Sequence, residues 1–449
     1  MKKSLITLKA MKEMKYIPKL LALLVLPAAV TLSGCAGLDV SLDSMLSPPK
    51  LTEYQTAIYN ALIQSTGQVE LTYPRSGDYR SAFVIYDLDD EPTSEAIVFY
   101  RTQETPQSEG GLRMSLLDQN EGQWVDLIDR PLAGRDVESV SFFDFGRGIN
   151  IVVRCTLLSQ TEQTLNVLDY DNGAVNELYL GNYVFCESAD MDGDGYDELF
   201  LINYDAALGY HNAHLLSWYE DGEGTAAFGA VSTVPLNADF AAIQRMSRQR
   251  LNENDFLVFL DYSKGSGVFG TQLLRCCDRN LTDIYSEGMT RRNNTNTPTL
   301  YSTDIDGDGR IEIPVTSPMP GYENLLIPEQ MYTVDWYYAN EESVLFDLTK
   351  KSSSYLSAGM EYMFYIPVRW QGLVTVEKSD NTVSFVKYDE GAEVLLSIYV
   401  QSVQVSSVPP PEEGWQVYGG NDNITVFVNT YDGDMALTED ELQSCLLIL

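Results

Sequence analysis

Asp190-Met-Asp-Gly-Asp-Gly-Tyr-Asp-Glu198 has a near copy in Asp304-Ile-Asp-Gly-Asp-Gly-Arg-Ile-Glu312. Each stretch puts carboxylates at positions 1, 3, 5 and 9 of a loop bent by glycines, hard oxygen ligands in the number and spacing that a calcium ion takes. The spacing starts like an EF-hand, but that loop needs a bidentate Glu at position 12, where this chain has Leu201 and Val315. An EF-hand is therefore excluded. The segments just after the two loops, Leu199 to Tyr204 and Ile311 to Val315, are short, apolar and partly alternating, as strands are. The expectation is a calcium loop between strands. The competing reading is an acidic surface turn holding no ion, against which stands the mutual repulsion of carboxylates packed in one loop.

Both loops resemble the D-x-D-x-D-G-x-x-[DE] signature of FG-GAP and VCBS repeats, the calcium-stapled blades of integrin-type β-propellers. The resemblance implies one ion held by Asp190, Asp192, Asp194, Glu198 and the carbonyl of Tyr196. It implies a second held by Asp304, Asp306, Asp308, Glu312 and the carbonyl of Arg310.

The repeat extends beyond these two loops. From Ser81 a unit of four strands recurs, with acidic loops starting at Asp87, Asp144, Asp190 and Asp304. The separations are 57, 46 and 114, the last being two steps with a loopless unit between. A period near 50 with four strands per period marks a propeller, each blade too thin to bury its faces alone. Five such units fill residues 81–350. The first loop, Asp87-Leu-Asp89-Asp-Glu91-Pro92-Thr-Ser-Glu95, keeps acidic groups at 1, 3, 5 and 9 but has Pro92 in place of glycine, which makes it a weaker calcium loop. The loop at Asp144 keeps the turn glycines and loses the other carboxylates, and residues 248–254 are basic and polar; neither is expected to hold an ion.

Residues 1–34 read as a lipoprotein signal peptide. Lysines up to Lys19 precede the apolar run Leu20 to Val30, too short to span a bilayer, and Leu32-Ser33-Gly34-Cys35 resembles a bacterial lipobox. That resemblance implies cleavage before Cys35, a lipid on its thiol, and a tether over 35–50. Residues 51–67 read as a helix opened by a Thr52/Gln55 capping box and closed by Gly67, with a short strand from Val69 to Tyr73. Helix and strand are expected to pack on the propeller. A Ser-rich joint is placed at 351–361. Residues 362–449 then read as a small C-terminal α+β domain, with a stiff Pro409-Pro410-Pro411 segment and a last helix opened by Thr438 and Glu441.

The formal net charge is −36, and removal of residues 1–34, with six Lys and one Glu, takes it to −41. Nucleic acid is a poor partner for such a surface. The five cysteines after Cys35 are an odd, scattered set inside apolar runs, which reads as buried free thiols, although Cys155 and Cys186 fall in neighbouring units and could pair. His211 and His214 are the only histidines and read as polar loop positions. No H-E-x-x-H, G-x-S-x-G or phosphate-binding Gly loop is present. Rows such as Trp218-Tyr219 and Trp336-Tyr337-Tyr338 could stack on sugars or simply pack.

The sequence thus reads as all-β: a calcium-stabilised β-propeller of about five four-stranded blades plus a small C-terminal α+β domain. Its expected place is outside the cytoplasm, anchored to the bacterial membrane through Cys35. Its expected role is binding a protein or carbohydrate ligand; the alternative is a glycan-acting enzyme of the cell envelope.

Overall fold

Apolar runs that alternate over a few residues and stop at glycine or acidic turns can bury one face or both only by pairing as strands. The computed structural model describes residues 51–102, 111–158, 162–171, 173–265, 267–285, 289–292, 296–342, 346–359, 361–389, 391–403 and 414–449. The leader, Cys35, the tether and the triple proline lie outside them. Two units are distinguished, residues 1–59 and 60–449, and helix Glu53–Thr66 runs from one into the other. Its start is the expected capping box: the Thr52 N–H donates to Gln55 Oε1 and the Gln55 N–H to Thr52 Oγ1, both at 3.1 Å. Gly67, at φ +79°, closes it.

The described residues of 60–449 are almost wholly β, in six antiparallel sheets. The first orders Val69–Leu71, Glu95–Thr102, Leu112–Asn120 and Gln123–Pro131, with Phe83–Tyr86 also paired to Glu95–Thr102. The second orders Asp136–Asp144, Ile149–Thr156, Gln163–Asp171 and Ala174–Tyr183; the third, Phe185–Ala189, Glu198–Asp205, Tyr210–Glu220 and Ala226–Pro235. The fourth orders Ala242–Asn252, Asp255–Gly265, Val268–Cys277 and Asn280–Tyr285, with Thr290–Arg292 added on Val268–Cys277.

Such thin sheets are stable because of how their central strands divide their side chains. In the second sheet Ile151 and Val153 join a core with Ile97 and Phe99 of the first, while Val152 between them joins Leu199 and Leu201 of the third. In the third, Phe200 and Ile202 meet Val258 and Leu260 of the fourth. Leu257 and Phe259 of the fourth in turn meet Ile313 of the fifth. Successive residues of one strand thus serve successive sheets, the period of two made into a face-to-face stack. These central strands are buried on both faces, which accounts for the continuous apolar runs in the sequence.

The C-terminal part departs from the sequence reading. The fifth sheet orders Ile313–Pro318, Tyr332–Ala339, Leu348–Leu356, Tyr362–Tyr365 and Leu446–Ile448, the last from the end of the chain. Residues 351–356, read as a joint, are therefore strand. The sixth sheet orders Val374–Ser379, Thr382–Lys387, Val394–Ser402, Ile424–Thr430 and Gln416–Gly420. One core holds Tyr355, Tyr362 and Phe364 of the fifth sheet with Val376, Phe385 and Ile398 of the sixth. Residues 297–304, within the fifth of the expected four-stranded units, form no strand and make isolated bridges, Thr303 pairing with Glu312. The backbone there is satisfied by side chains: Ser302 N–H donates to Asp261 Oδ2 at 2.7 Å, and Leu300 O accepts from Arg291 Nε at 2.6 Å.

Helix Glu439–Cys445 opens with the expected capping box from Thr438 and Glu441. Arg369 pairs with the Glu441 carboxylate, Nη2 to Oε2 at 2.8 Å. That guanidinium, with the Thr438 N–H, holds the carboxyl at about 2, below its ordinary 4.5. A depressed carboxyl adds stability that is present above pH 4.5 and lost as pH falls towards 2. The stability difference between the natural chain and Glu441→Gln, measured by urea unfolding, is accordingly expected to close across that window.

Cys155 and Cys186 are both free. Cys155 packs in the core between the first and second sheets, Cys186 against that between the second and third, so the sheet itself separates them. Gly134, at φ +141°, passes so close that an added Cβ would sit 2.2 Å from Cys155 Cβ. His211 and His214 lie within strand Tyr210–Glu220 rather than in a loop. His214 bridges its two neighbours, Nδ1 to Thr233 Oγ1 at 2.8 Å and Nε2 to Asn203 Oδ1 at 3.0 Å. Trp336 is buried with Nε1 on Ser354 Oγ at 2.8 Å, which makes it a core residue.

Candidate metal centre

Three acidic loops share one geometry. In each, the residue before the loop pairs across the hairpin with the acidic residue at position 9: Tyr86 with Glu95, Ala189 with Glu198, Thr303 with Glu312. In each, that position-9 carboxylate is buried and one of its oxygens accepts from the backbone N–H of position 2. The distances are 2.6 Å from Leu88, 2.8 Å from Met191 and 3.0 Å from Ile305. In the two strong loops the side chains at 1, 3 and 5 come together, with position 9 outside the group, and in the first loop those at 1, 3 and 9 do. Asp87, Asp89 and Glu95 bring carboxylate oxygens within 4.8 Å of one another, as do Asp190, Asp192 and Asp194, and Asp304, Asp306 and Asp308. Glu91 is not part of the first group.

The glycines explain the strong loops. Position 4 takes positive φ in all three, +79° at Gly193 and Gly307 and +59° at Asp90. Position 6 is Gly195 at φ +90° and Gly309 at φ +87°, a conformation Pro92 cannot adopt. There the turn brings N–H groups onto the first carboxylate. Asp304 Oδ1 accepts from Gly307 at 2.7 Å and Oδ2 from Gly309 at 2.9 Å; Asp190 Oδ1 accepts from Gly193 at 2.5 Å and Oδ2 from Gly195 at 3.2 Å. These N–H groups, Gly309 foremost, hold the Asp304 carboxyl below the usual range. The loop at Asp144 closes early, Asp144 pairing with Ile149, and buries Phe145 where Met191 sits in the third sheet.

Burial works against ionisation at position 9. It pushes Glu95 up to about 7 and Glu198 up to about 8, and the aspartates of each loop add to it. Glu312 is also raised by burial, but Lys351 opposes the rise. A cation among the loop oxygens would favour the ionised form, and the donor set, all carboxylate and carbonyl oxygen, suits calcium or magnesium rather than a softer metal.

The two strong loops differ in what already faces them. Lys351, from strand Leu348–Leu356, lies with Nζ 2.7 Å from Asp306 Oδ1, 2.7 Å from Asp308 Oδ2 and 2.9 Å from Glu312 Oε1. It touches positions 3, 5 and 9, whose carboxylates a metal would use. The first strong loop has Arg279, with Nε 3.3 Å from Asp192 Oδ2. Its glycine is also tighter, since a Cβ at Gly193 would lie 1.8 Å from the Glu253 carbonyl oxygen, whereas Gly307 faces open space. Sequence reasoning missed both cations. Lys351 fell in the supposed joint, and its one signal was a lysine pair, Lys350-Lys351, in an acidic chain.

Removing the ammonium strands three carboxylates, one of them fully buried. Lys351→Met is expected to lower stability in metal-free buffer by about 1–3 kcal/mol, read by chemical denaturation. An unchanged midpoint would mean that Lys351 is only a surface partner.

Sheets stacked face to face, with acidic hairpin loops at three of them, define the class of molecule. No family model matches the sequence, and no curated protein matches it. Among solved structures the chain is similar to Sqt1 of Saccharomyces cerevisiae, at 8% identity over 81% of this chain and 98% of that one, TM-score 0.30. It is also similar to an exo-β-1,3-galactanase of Phanerochaete chrysosporium, at 10% identity over 80% and 95%, TM-score 0.23. A third is a protein of unknown function from Dyadobacter fermentans, at 8% identity over 81% and 98%, TM-score 0.26.

Proposed function

We propose that this chain is a lipid-anchored, extracytoplasmic calcium-binding β-propeller of the FG-GAP/VCBS kind, with about five blades, that binds a protein or carbohydrate ligand at the bacterial cell surface. The observation that carries the calcium reading is the common loop register: the residue before the loop paired with position 9, and the position-9 carboxylate on the N–H of position 2. Asp190, Asp192, Asp194, Glu198 and the Tyr196 carbonyl would hold one ion. Asp304, Asp306, Asp308, Glu312 and the Arg310 carbonyl would hold the other, once Lys351 moves aside. Asp87, Asp89 and Glu95 would make a weaker third set, without Glu91. Calcium would neutralise the loops and fix the turn between two strands of a blade. The anchor rests on the lipobox at Cys35.

A glycan-cleaving enzyme would need two carboxylates facing each other across a substrate cleft. Glu95 and Glu198, the carboxylates pushed furthest up, are each bonded inside their own loop, and this favours a structural role for them.

Equilibrium dialysis against radioactive calcium tests the reading. The natural chain is expected to bind calcium tightly at one loop and more weakly at the other, and Asp192→Ala is expected to abolish the tight component. A chain that binds no calcium at millimolar concentration would remove the proposal.

A further inference from the structure

Strand Ala242–Asn252, at the edge of the fourth sheet, carries Arg245, Arg248 and Arg250 and no acidic residue, in a chain of formal net charge −36. Several arginines on other strands rest on carboxylates: Arg101 on Asp136, Arg113 on Asp129, Arg275 on Asp255 and Arg291 on Asp261. These three do not. Arg248 Nη1 donates to the Asp190 carbonyl at 3.3 Å. Arg250 donates to the carbonyls of Asn252 and Glu253 at 3.0 and 3.4 Å, and Arg245 has no hydrogen-bond or ion-pair partner among the described residues. An open cleft of about 580 Å³ is lined by all three, with Phe256, Glu187 and Asp304 also on its wall. Asp304 is already engaged by the N–H groups of its own loop. Glu187 and Asp304 are two carboxylates set against three guanidinium groups.

A volume of this size suits a small molecule or one unit of a larger one. Guanidinium groups shed water more readily than ammonium groups and present paired N–H donors to planar or tetrahedral oxyanions. We propose that this cleft is a binding site for an oxyanion group, phosphate or carboxylate, carried by a ligand. The Arg250 guanidinium lies over the Phe256 ring, 5.6 Å from its centroid, which holds it at the cleft. The guanidinium groups come from the strand, although Asp304 of the second acidic loop lies on the wall, so the arginines need no calcium to engage the anion. The site lies on a strand whose charge is opposite to that of the chain, so attraction is local and the surrounding field opposes anions that do not reach the cleft.

Isothermal titration of the full chain in calcium-free buffer, with glycerol 3-phosphate and with gluconate as probes, tests this. Saturable one-site binding of either probe is expected, and the tighter of the two identifies the anion as phosphate or carboxylate. Arg245→Gln, which disturbs no internal partner, is expected to weaken binding about tenfold, in line with the loss of one charge-assisted hydrogen bond. Arg245→Gln with Arg250→Gln is expected to abolish it, while Arg80→Gln, on an exposed arginine not among the cleft residues, leaves it unchanged. Absence of binding by both probes overturns the proposal. So does binding that Arg245→Gln leaves at full strength.

Discussion

Asp261→Ala is expected to destabilise the chain by about 3–5 kcal/mol, the cost of leaving a buried charge without its partner. Asp261 and Arg291 are 0% and 1% exposed at their side chains, with Arg291 Nη2 2.6 Å from Asp261 Oδ1. Thr271, directly opposite Asp261 in the next strand, donates from Oγ1 to Asp261 Oδ1 at 2.5 Å and accepts from Arg291 Nη1 at 2.6 Å. Ser302 closes the network, its N–H on Asp261 Oδ2 and its hydroxyl 2.8 Å from Oδ1. The pair therefore ties three strands of the fourth sheet to the segment that enters the second strong loop. Exchange of both charges for apolar groups, Asp261→Leu with Arg291→Met, is expected to recover much of the loss, since neither charge is then stranded. Urea unfolding of the single and double variants measures this. A loss below about 1 kcal/mol for Asp261→Ala would mean that water reaches Arg291.

The second large effect concerns calcium. A metal that binds only the folded chain adds RT ln(1 + [L]/Kd), about 2.7 kcal/mol per site at a hundredfold excess over Kd. The two strong loops are not expected to share that gain equally. In the second, Lys351 already supplies a positive charge to three of the carboxylates and calcium must displace it. In the first, Arg279 reaches Asp192, and Glu198 lies buried beneath with its carboxyl pushed up to about 8. Asp192→Ala is therefore expected to remove most of the stability that calcium adds, and Asp306→Ala a smaller part. Denaturation of each variant with calcium and with chelator separates the two contributions. Equal losses would show that Lys351 does not compete.

Much of the architecture was legible because it rests on patterns one strand long. The runs around Val152, Phe200 and Val258 are continuously apolar since each serves two sheets, and a strand buried on both faces leaves that mark in sequence. The loop positions were legible for a related reason: glycines at positive φ and carboxylates at fixed offsets are local requirements. Long-range choices were not. Nothing in Leu446 to Ile448 announces a partner in Tyr362–Tyr365, because the pairing depends on where the sixth sheet returns the chain. The run from 297 to 304 has the composition of a strand, yet Asp261 and Arg291, distant in sequence, take its backbone groups. Lys351 was hidden likewise, and the basic character of 248–254 was legible without its place on a cleft, since charge becomes meaningful only when its neighbours are known.

Calcium stapling is tested most directly by a thermal melt of the purified chain in calcium, in magnesium and in chelator. The melting temperature is expected to be several degrees higher in calcium than in chelator, to respond little to magnesium, and to lose its calcium dependence in Asp192→Ala with Asp306→Ala. Identical melts in calcium and chelator would contradict a metal role, and the three loops would then be acidic turns that stabilise the hairpins through their own N–H groups alone.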